Sequence, residues 1–339
     1  AVALSRRLAV LSGLEKVLFA PGGAEAIGMA LKLARLATGR HKTISMWDAF
    51  HGASLDAISI GGEAVFRRDM GPLMPGAEHV PPCDPRDCRF GCGGTCNARC
   101  ADYVDYVLGK EGDVAAVIVE TVRCTDVQIP PVSYYRALRD ACDRHGALLI
   151  LDEGPIGLGR TETMFAFERY GIVPDMVVLG KGLGGAVFPM AALIARRDLD
   201  VAGDRALGHY THEKSSVGCA AALATLDVIE DERLLERTNV LGDRALARMR
   251  AIALRHPMVG DVRGVGLLLG LELVKPDGSP ARTEAERVMY ACLARGLLKK
   301  CVILFEGRSG LRSFGGFESG HFGAGNSPTS EPRYSSRFV

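Results

Sequence analysis

At 339 residues, 47% hydrophobic and 24% charged, the chain can bury one large domain plus a smaller one and has an ordinary globular composition, not a disordered or fibrous one. Its 41 basic and 40 acidic residues leave a net charge of +1, and no basic stripe or aromatic-interleaved patch appears, so nucleic acid is not an expected partner. Two early arginines without a small-residue cleavage site argue against a secretory leader. The stretch 173–195 has the length of a membrane span, but four glycines, Pro189 and a central Lys181 make it a folded strand–turn–strand.

In chain order, Leu4–Leu14 has the apolar spacing of an amphipathic helix, and LEKVLFA after it reads as a short strand. Pro21-Gly22-Gly23 then precedes a helix with Ala26, Ala30, Leu31, Leu33 and Ala34 apolar. Glycines before a helix start leave main-chain N–H groups that can cradle a phosphate, aided by the helix dipole; taken alone, such a turn is more often just a tight loop. Lys42–Met46 is the next strand, and Phe50-His51-Gly52 lies in the loop beyond it. An aromatic at a strand's exit can stack on a flat heterocycle with a His nearby to polarise it; a plain core Phe is the competing reading.

Five of the ten cysteines crowd into PPCDPRDCRFGCGGTCNARC, at Cys83, Cys88, Cys92, Cys96 and Cys100. Clustered thiolates suit zinc or iron–sulfur. The spacing, however, contains no C-x-x-C pair and departs from zinc-ribbon and ferredoxin patterns. The expected state is therefore reduced cysteines in a surface excursion, with no metal ligand assigned. Cys124, Cys142, Cys219, Cys292 and Cys301 are scattered, as in a cytosolic protein.

Beyond that loop Val104–Leu108 is expected to be helical, and GDVAAVIVET is a continuous apolar run, read as a buried parallel strand ending at Glu120. Tyr134–His145 is a helix, and Ala147–Leu151 is a second buried strand that ends in Asp152-Glu153. An acid at the carboxyl end of a parallel strand faces the crevice where α/β sheets bind ligands. Asp175 to Leu179 continues as a strand, and Gly180-Lys181-Gly182 turns out of it. A lysine in such apolar surroundings is costly if merely structural, and one held out of water is what attack on a carbonyl requires; a lysine snorkelling out of a loop is the bland alternative. One long helix begins near Ser216, two strands turn at Arg263-Gly264, and a helix covers Thr283–Arg295. From about Gly307 the Gly-, Ser- and Arg-rich tail has no periodicity and is expected to be disordered. Alternating strands and helices over most of the length mean an α/β fold with a parallel sheet covered on both faces.

A phosphate turn (Gly22, Gly23, Ala24), an aromatic with His (Phe50, His51), a strand-end acid (Asp152) and a Gly-flanked Lys181, in this order, describe a site for pyridoxal 5′-phosphate. With FAPGGAEAIGMALKLAR, FHG, AAVIVETV, LLILDEGPIGLGRTETMF and PDMVVLGKGLGGAVFPMAALIA, the sequence resembles the class III aminotransferases of the fold type I pyridoxal phosphate enzymes, from Leu4 to about Leu297. The resemblance implies a three-layer large domain over 1–245, part of a small α+β domain over 246–306, and an aberrant tail over 307–339. It also implies that Lys181 forms a Schiff base, that Asp152 pairs with the pyridine nitrogen, and that Phe50 stacks on the ring. Gly23 and Ala24 would hold the phosphate, Glu120 matches an active-site glutamate, and Thr211 matches a threonine that reaches the phosphate across a homodimer interface. A cytoplasmic enzyme acting on small amines and keto acids follows.

The chain also departs from the family. Gly22 and Ala24 stand where Ser and Thr are usual, Gly154-Pro155 replaces Val-Gln, and Ser215-Ser216 replaces Asn-Pro. The family's usual opening segment lies upstream of Ala1, and its closing strands, with a carboxylate-binding arginine, are not found after Leu297, as in a truncated or frame-shifted relative. The family also contains lyases that eliminate ammonia from small amino-phosphonates or amino-phosphates, and the cysteine-rich loop resembles those of phosphonate-associated members. Three readings result: a transaminase, such a lyase, and an inactive cofactor-binding fragment.

Overall fold

The computed structural model describes residues 1–92 and 96–297, together with two paired strands at Val302–Ile303 and Arg312–Ser313. Apart from that second strand, the tail expected to be disordered lies outside the described residues. The first part of the chain forms helix α1 (Val2–Ser12), strand β1 (Lys16–Ala20), helix α2 (Gly23–Thr38), strand β2 (Lys42–Met46), the short helices α3 (Leu55–Ile60) and α4 (Ala64–Arg67), and strand β3 (Ala77–Val80). Helix α5 (Arg99–Glu111), strand β4 (Val114–Glu120), helix α6 (Val132–His145) and strands β5 (Leu148–Asp152), β6 (Met176–Leu179) and β7 (Ala191–Ala195) follow. The remainder is helix α7 (Ser216–Asp231), helix α8 (Leu234–Ala253), the strand pair β8 (Val259–Val265) and β9 (Leu268–Leu273), and helix α9 (Arg282–Leu293).

Seven strands form one sheet in the order β1-β7-β6-β5-β4-β2-β3, with β7 antiparallel to both of its neighbours and the other pairs parallel. Successive side chains on a strand point to opposite faces. Ala116, Ile118, Ile150 and Val178 accordingly pack with α2 residues Ile27, Ala30 and Ala34, whereas Val117, Val119, Leu149 and Leu151 pack on the other face with Leu4, Leu108, Tyr135 and Leu138 of α1, α5 and α6. Two cores on one sheet make a three-layer α/β/α fold. This is why β4 and β5 read as unbroken apolar runs: both faces are covered, and each enclosed Ile or Val contributes roughly 1.5–3 kcal/mol.

Three expectations are corrected. Helix α5 starts at Arg99, well before Val104, because Cys100, Ala101, Val104 and Leu108 form one buried stripe. The long helix near Ser216 is two helices; Glu230, Asp231 and Glu232 oppose the dipole at the first one's end, and Arg233 takes a left-handed conformation (φ 51°). The hairpin expected to turn at Arg263-Gly264 turns at Gly266, whose φ is +55°, while Arg263 still pairs with Gly270. The cysteine loop runs over the surface as expected, with Arg86, Asp87, Arg89 and Gly91 exposed, but Cys83 and Cys100 at its two ends are buried in the core. Strand β3 carries a short, polar pattern (AEHV) at the sheet edge and gives no sequence signal. Among the described residues no helix is long and apolar enough to cross a membrane.

Candidate active site

The parallel strands deliver their last residues to one edge of the sheet. Glu120 ends β4 and pairs in register with Asp152, which ends β5, and Asp152 pairs with Val178 of β6. One residue past β6, Gly180 starts a tight turn whose first residue is Lys181, in a left-handed conformation (φ 40°).

Glycines let these segments converge. A Cβ on Gly180 would stand 3.8 Å from Gly154 Cα and 3.9 Å from Gly23 Cα, so the exits of β5 and β6 and the start of α2 share one small space. A Cβ on Gly154 would stand 3.1 Å from Asp152 Oδ1 and 3.8 Å from Lys181 Nζ, so the acid and the amine both border the same glycine. Gly52 (φ +128°) presses against Ala24: a Cβ there would meet Ala24 Cβ at 2.7 Å, which leaves no room for any other residue. The loop after β2 is thereby seated on the first turn of α2.

That first turn has N–H groups without intrahelical acceptors, and Gly22, its N-cap, offers no side chain to satisfy them. Gly23 is exposed, and a Cβ on it would meet nothing within 4 Å among the described residues, so the turn is open to an anion. Glu25 opposes this, because its carboxylate folds back to 2.6 Å from where a Gly22 Cβ would stand.

Asp152 is buried and tightly held. His51 Nδ1 lies 2.9 Å from Oδ2, and the Gly154 N–H donates to Oδ1 over 3.0 Å. Because a carboxylate only accepts, Nδ1 carries the His51 proton. The His51 side chain is wholly enclosed, its Nε2 has no partner among the described residues, and its contact within this site is with Asp152. Phe50 is half-buried in the same loop, its ring 4.6 Å from that of Phe66.

Lys181 corrects the expectation of an amine held out of water: it is exposed, because the turn carries it past the sheet edge. Thr211 is also exposed, in the turn before α7. Glu120 is enclosed, and burial pushes its carboxyl up to about 8, with Arg123 pulling the other way. Sequence reasoning missed the group around it. Arg123 Nε is 3.8 Å from Glu120 Oε2, and its terminal nitrogens are 3.4 Å from Glu63 and from Asp126. One buried guanidinium facing three carboxylates favours a proton on one of them. Its signal was a lone Arg three residues past a strand-end Glu. Glu153, next to Asp152, faces away from the crevice and accepts the N–H groups of Ala166 and Phe167 at 2.7 and 2.8 Å. Burial holds its carboxyl at about 7. A cleft of about 350 Å³ around Arg40, Arg139, Asp175 and Arg196 lies at the amino end of β5, away from these groups.

A three-layer fold with a lysine and a strand-end acid at the carboxyl edge of a mainly parallel sheet defines a fold type I pyridoxal phosphate enzyme. The comparisons agree: the family model "Aminotransferase class-III" matches residues 1–304, and the chain belongs to that family. Pyridoxal 5′-phosphate is its cofactor, and the glycine-lined space between Gly23, Gly154 and Gly180, with Lys181 and Asp152 on its wall, fits that group.

The chain is 47% identical over 318 residues to the (R)-1-hydroxy-2-aminoethylphosphonate ammonia-lyase of Vibrio splendidus, covering 88% of this chain and 66% of the relative. It is 41% identical over 266 residues to the diaminobutyrate–2-oxoglutarate aminotransferase of Rhizobium meliloti, covering 77% and 56%. It thus spans less than two thirds of the length of both. Among solved structures it is similar to an amine transaminase of an uncultivated Pseudomonas species in its PLP-bound form, with TM-score 0.83 and 29% identity over 89% of this chain and 73% of that one. It is likewise similar to an (S)-enantioselective omega-transaminase of Thermomicrobium roseum, with TM-score 0.82 and 32% identity over 88% and 71%.

Proposed function

We propose that this chain is the greater part of a pyridoxal-phosphate-dependent aminotransferase that moves an amino group from a small amine or amino acid to a keto acid. The observation that carries the reading is that the Lys181 amine and the Asp152 carboxylate both come within 4 Å of one point beside Gly154. Bound there, the cofactor supplies an aldehyde that condenses with amines and a ring that draws electrons from bonds next to the nitrogen. Asp152, oriented by His51 and the Gly154 N–H, offers its carboxylate to the ring nitrogen. Gly22, Gly23 and Ala24 would hold the phosphate at the α2 N-terminus once the Glu25 side chain swings away, and Phe50 would lie against the ring. Lys181 would hold the cofactor through Nζ, and the same Nζ would be the base that carries a proton from the substrate carbon to the cofactor's own carbon. Its turn is flanked by Gly180 and Gly182, so the side chain can swing without meeting a neighbouring Cβ.

An exposed Lys181 and an exposed Thr211 favour a homodimer, in which a second copy covers the lysine and receives the threonine at its phosphate. A cytoplasmic setting fits the free thiols of the buried Cys83, Cys100, Cys142 and Cys219. The large domain is taken to end near residue 245, within α8, with 246–306 as part of the small domain.

A second reading has one specific observation behind it, the 47% identity to an ammonia-lyase over most of the chain. The test is to load the protein with pyridoxal phosphate and supply small amines, including 1-hydroxy-2-aminoethylphosphonate, with and without a keto acid. Amine consumption only with the acceptor supports transamination, and ammonia release without it supports elimination. Cofactor binding with neither outcome identifies an inactive fragment.

A further inference from the structure

The cysteine-rich segment plays no part in the chemistry above, yet three of its thiols meet in space. The sulfurs of Cys83, Cys96 and Cys100 all lie within 4.8 Å of one another, and those of Cys83 and Cys96 are 3.8 Å apart. Cys83 and Cys100 are buried, and Cys96 is half-buried against the same core.

Two thiolates each about 2.3 Å from a zinc ion at the tetrahedral angle stand about 3.8 Å apart, whereas bonded sulfurs stand about 2.05 Å apart. The Cys83–Cys96 spacing thus matches an edge of a metal tetrahedron, and the other two pairs lie within 4.8 Å, close enough to be drawn onto one ion. Each ligand comes from a different part of the segment. Cys83 follows the edge strand β3, Cys96 lies in the loop, and Cys100 sits in the first turn of α5, where main-chain N–H groups favour a thiolate.

From these positions we infer that Cys83, Cys96 and Cys100 form a binding site for a thiophilic divalent ion of the zinc type, with the fourth corner taken by water or another donor. Binding displaces the thiol protons as the metal–sulfur bonds form, so no oxidant or reductant is involved. The ion pins the loop where it counts: Cys83 lines a small cavity of about 30 Å³ together with Glu120 and Arg123, so the metal fixes one wall beside the strand-end acids. Sequence spacing argued against a metal because it compares neighbours along the chain, whereas here the contact that matters joins residues 13 apart.

The test uses the full chain, reduced, stripped with a chelator and titrated with Zn²⁺ and, separately, Co²⁺. One ion per chain is expected. Cobalt should show a thiolate charge-transfer band and the intense visible bands of a tetrahedral site, and bound zinc should protect Cys83, Cys96 and Cys100, but not Cys292, from alkylation mapped by peptide mass. Cys96→Ser, the least buried of the three changes, should lose stoichiometric binding, and Cys292→Ser should keep it. If Cys96→Ser fails to fold, the protection map of the unaltered chain decides alone. A disulfide between two of the trio in protein purified without reductant, or three thiols equally reactive with and without zinc, overturns the site.

Discussion

Replacing Glu120 with Gln isolates the energetic cost of an enclosed acid beside the cofactor space. The carboxyl is pushed from 4.5 to about 8, first by burial, against the pull of Arg123 and with help from Asp152, Glu63 and Asp126. Between those two values the folded chain keeps a proton that the unfolded chain has released. The associated stability is fully present below about 4.5, drains away as pH rises, and is gone once the folded-state value near 8 is passed. The full shift corresponds to a ceiling of about 5 kcal/mol at 1.36 kcal/mol per unit. Glutamine has no such proton, so subtracting the variant's unfolding free energy from that of the unaltered chain cancels every other titrating group, Glu153 included. Urea unfolding at several pH values across that window should show the unaltered chain losing a few kcal/mol relative to Glu120→Gln, with no further change above it. Parallel curves, or a relative gain for the unaltered chain toward high pH, would mean that Arg123 keeps Glu120 ionised, and would refute the reasoning.

Other expectations concern the cofactor space. Lys181→Ala should abolish both the visible band of the lysine-bound cofactor and turnover; an unchanged band would remove Lys181 from its assigned role. In Gly52→Ala, the new Cβ meets Ala24 in a backbone region reserved for glycine, which costs about 1–3 kcal/mol. Thermal unfolding should come earlier and affinity for pyridoxal phosphate should fall, whereas native-like affinity would mean that this loop does not shape the phosphate turn. His51→Ala strips Asp152 Oδ2 of its buried partner at a cost of about 1–3 kcal/mol. It should lower kcat more than it weakens cofactor binding, and an equal loss in both would indicate a purely structural role.

How far the site was readable differs from residue to residue. Asp152 and Lys181 stood out because each is a charged group bordering an apolar strand, and the reason for that contrast is the same in the chain as in the fold. Both buried faces of β4 and β5 were readable for the same cause: a strand covered on two sides has no polar alternation. The exposure of Lys181 was not readable, since it depends on what else borders the crevice. The Arg123 group was hidden because Glu63 and Asp126 come from separate loops, and charge on a loop normally signifies only solvent. The meeting of Cys83 with Cys96 depends on the path of a loop that has no periodicity. The break at Arg233 and the turn at Gly266 show the ordinary limit at element ends, where one left-handed residue decides and several neighbours could have supplied it.

Strand β7 runs against the direction of its neighbours, so the segment bearing Lys181 is a hairpin link and not a crossover. Its two ends are clamped by adjacent ladders a few residues away, and nothing distant in the chain is needed to set where the amine emerges. Such nearest-neighbour pairing closes a shorter loop, at smaller entropic cost, than the helical crossover that joins β4 to β5. The turn that bears Lys181 is therefore set by its own hairpin, and the parallel pairing of β5 with β6 fixes Asp152 beside it.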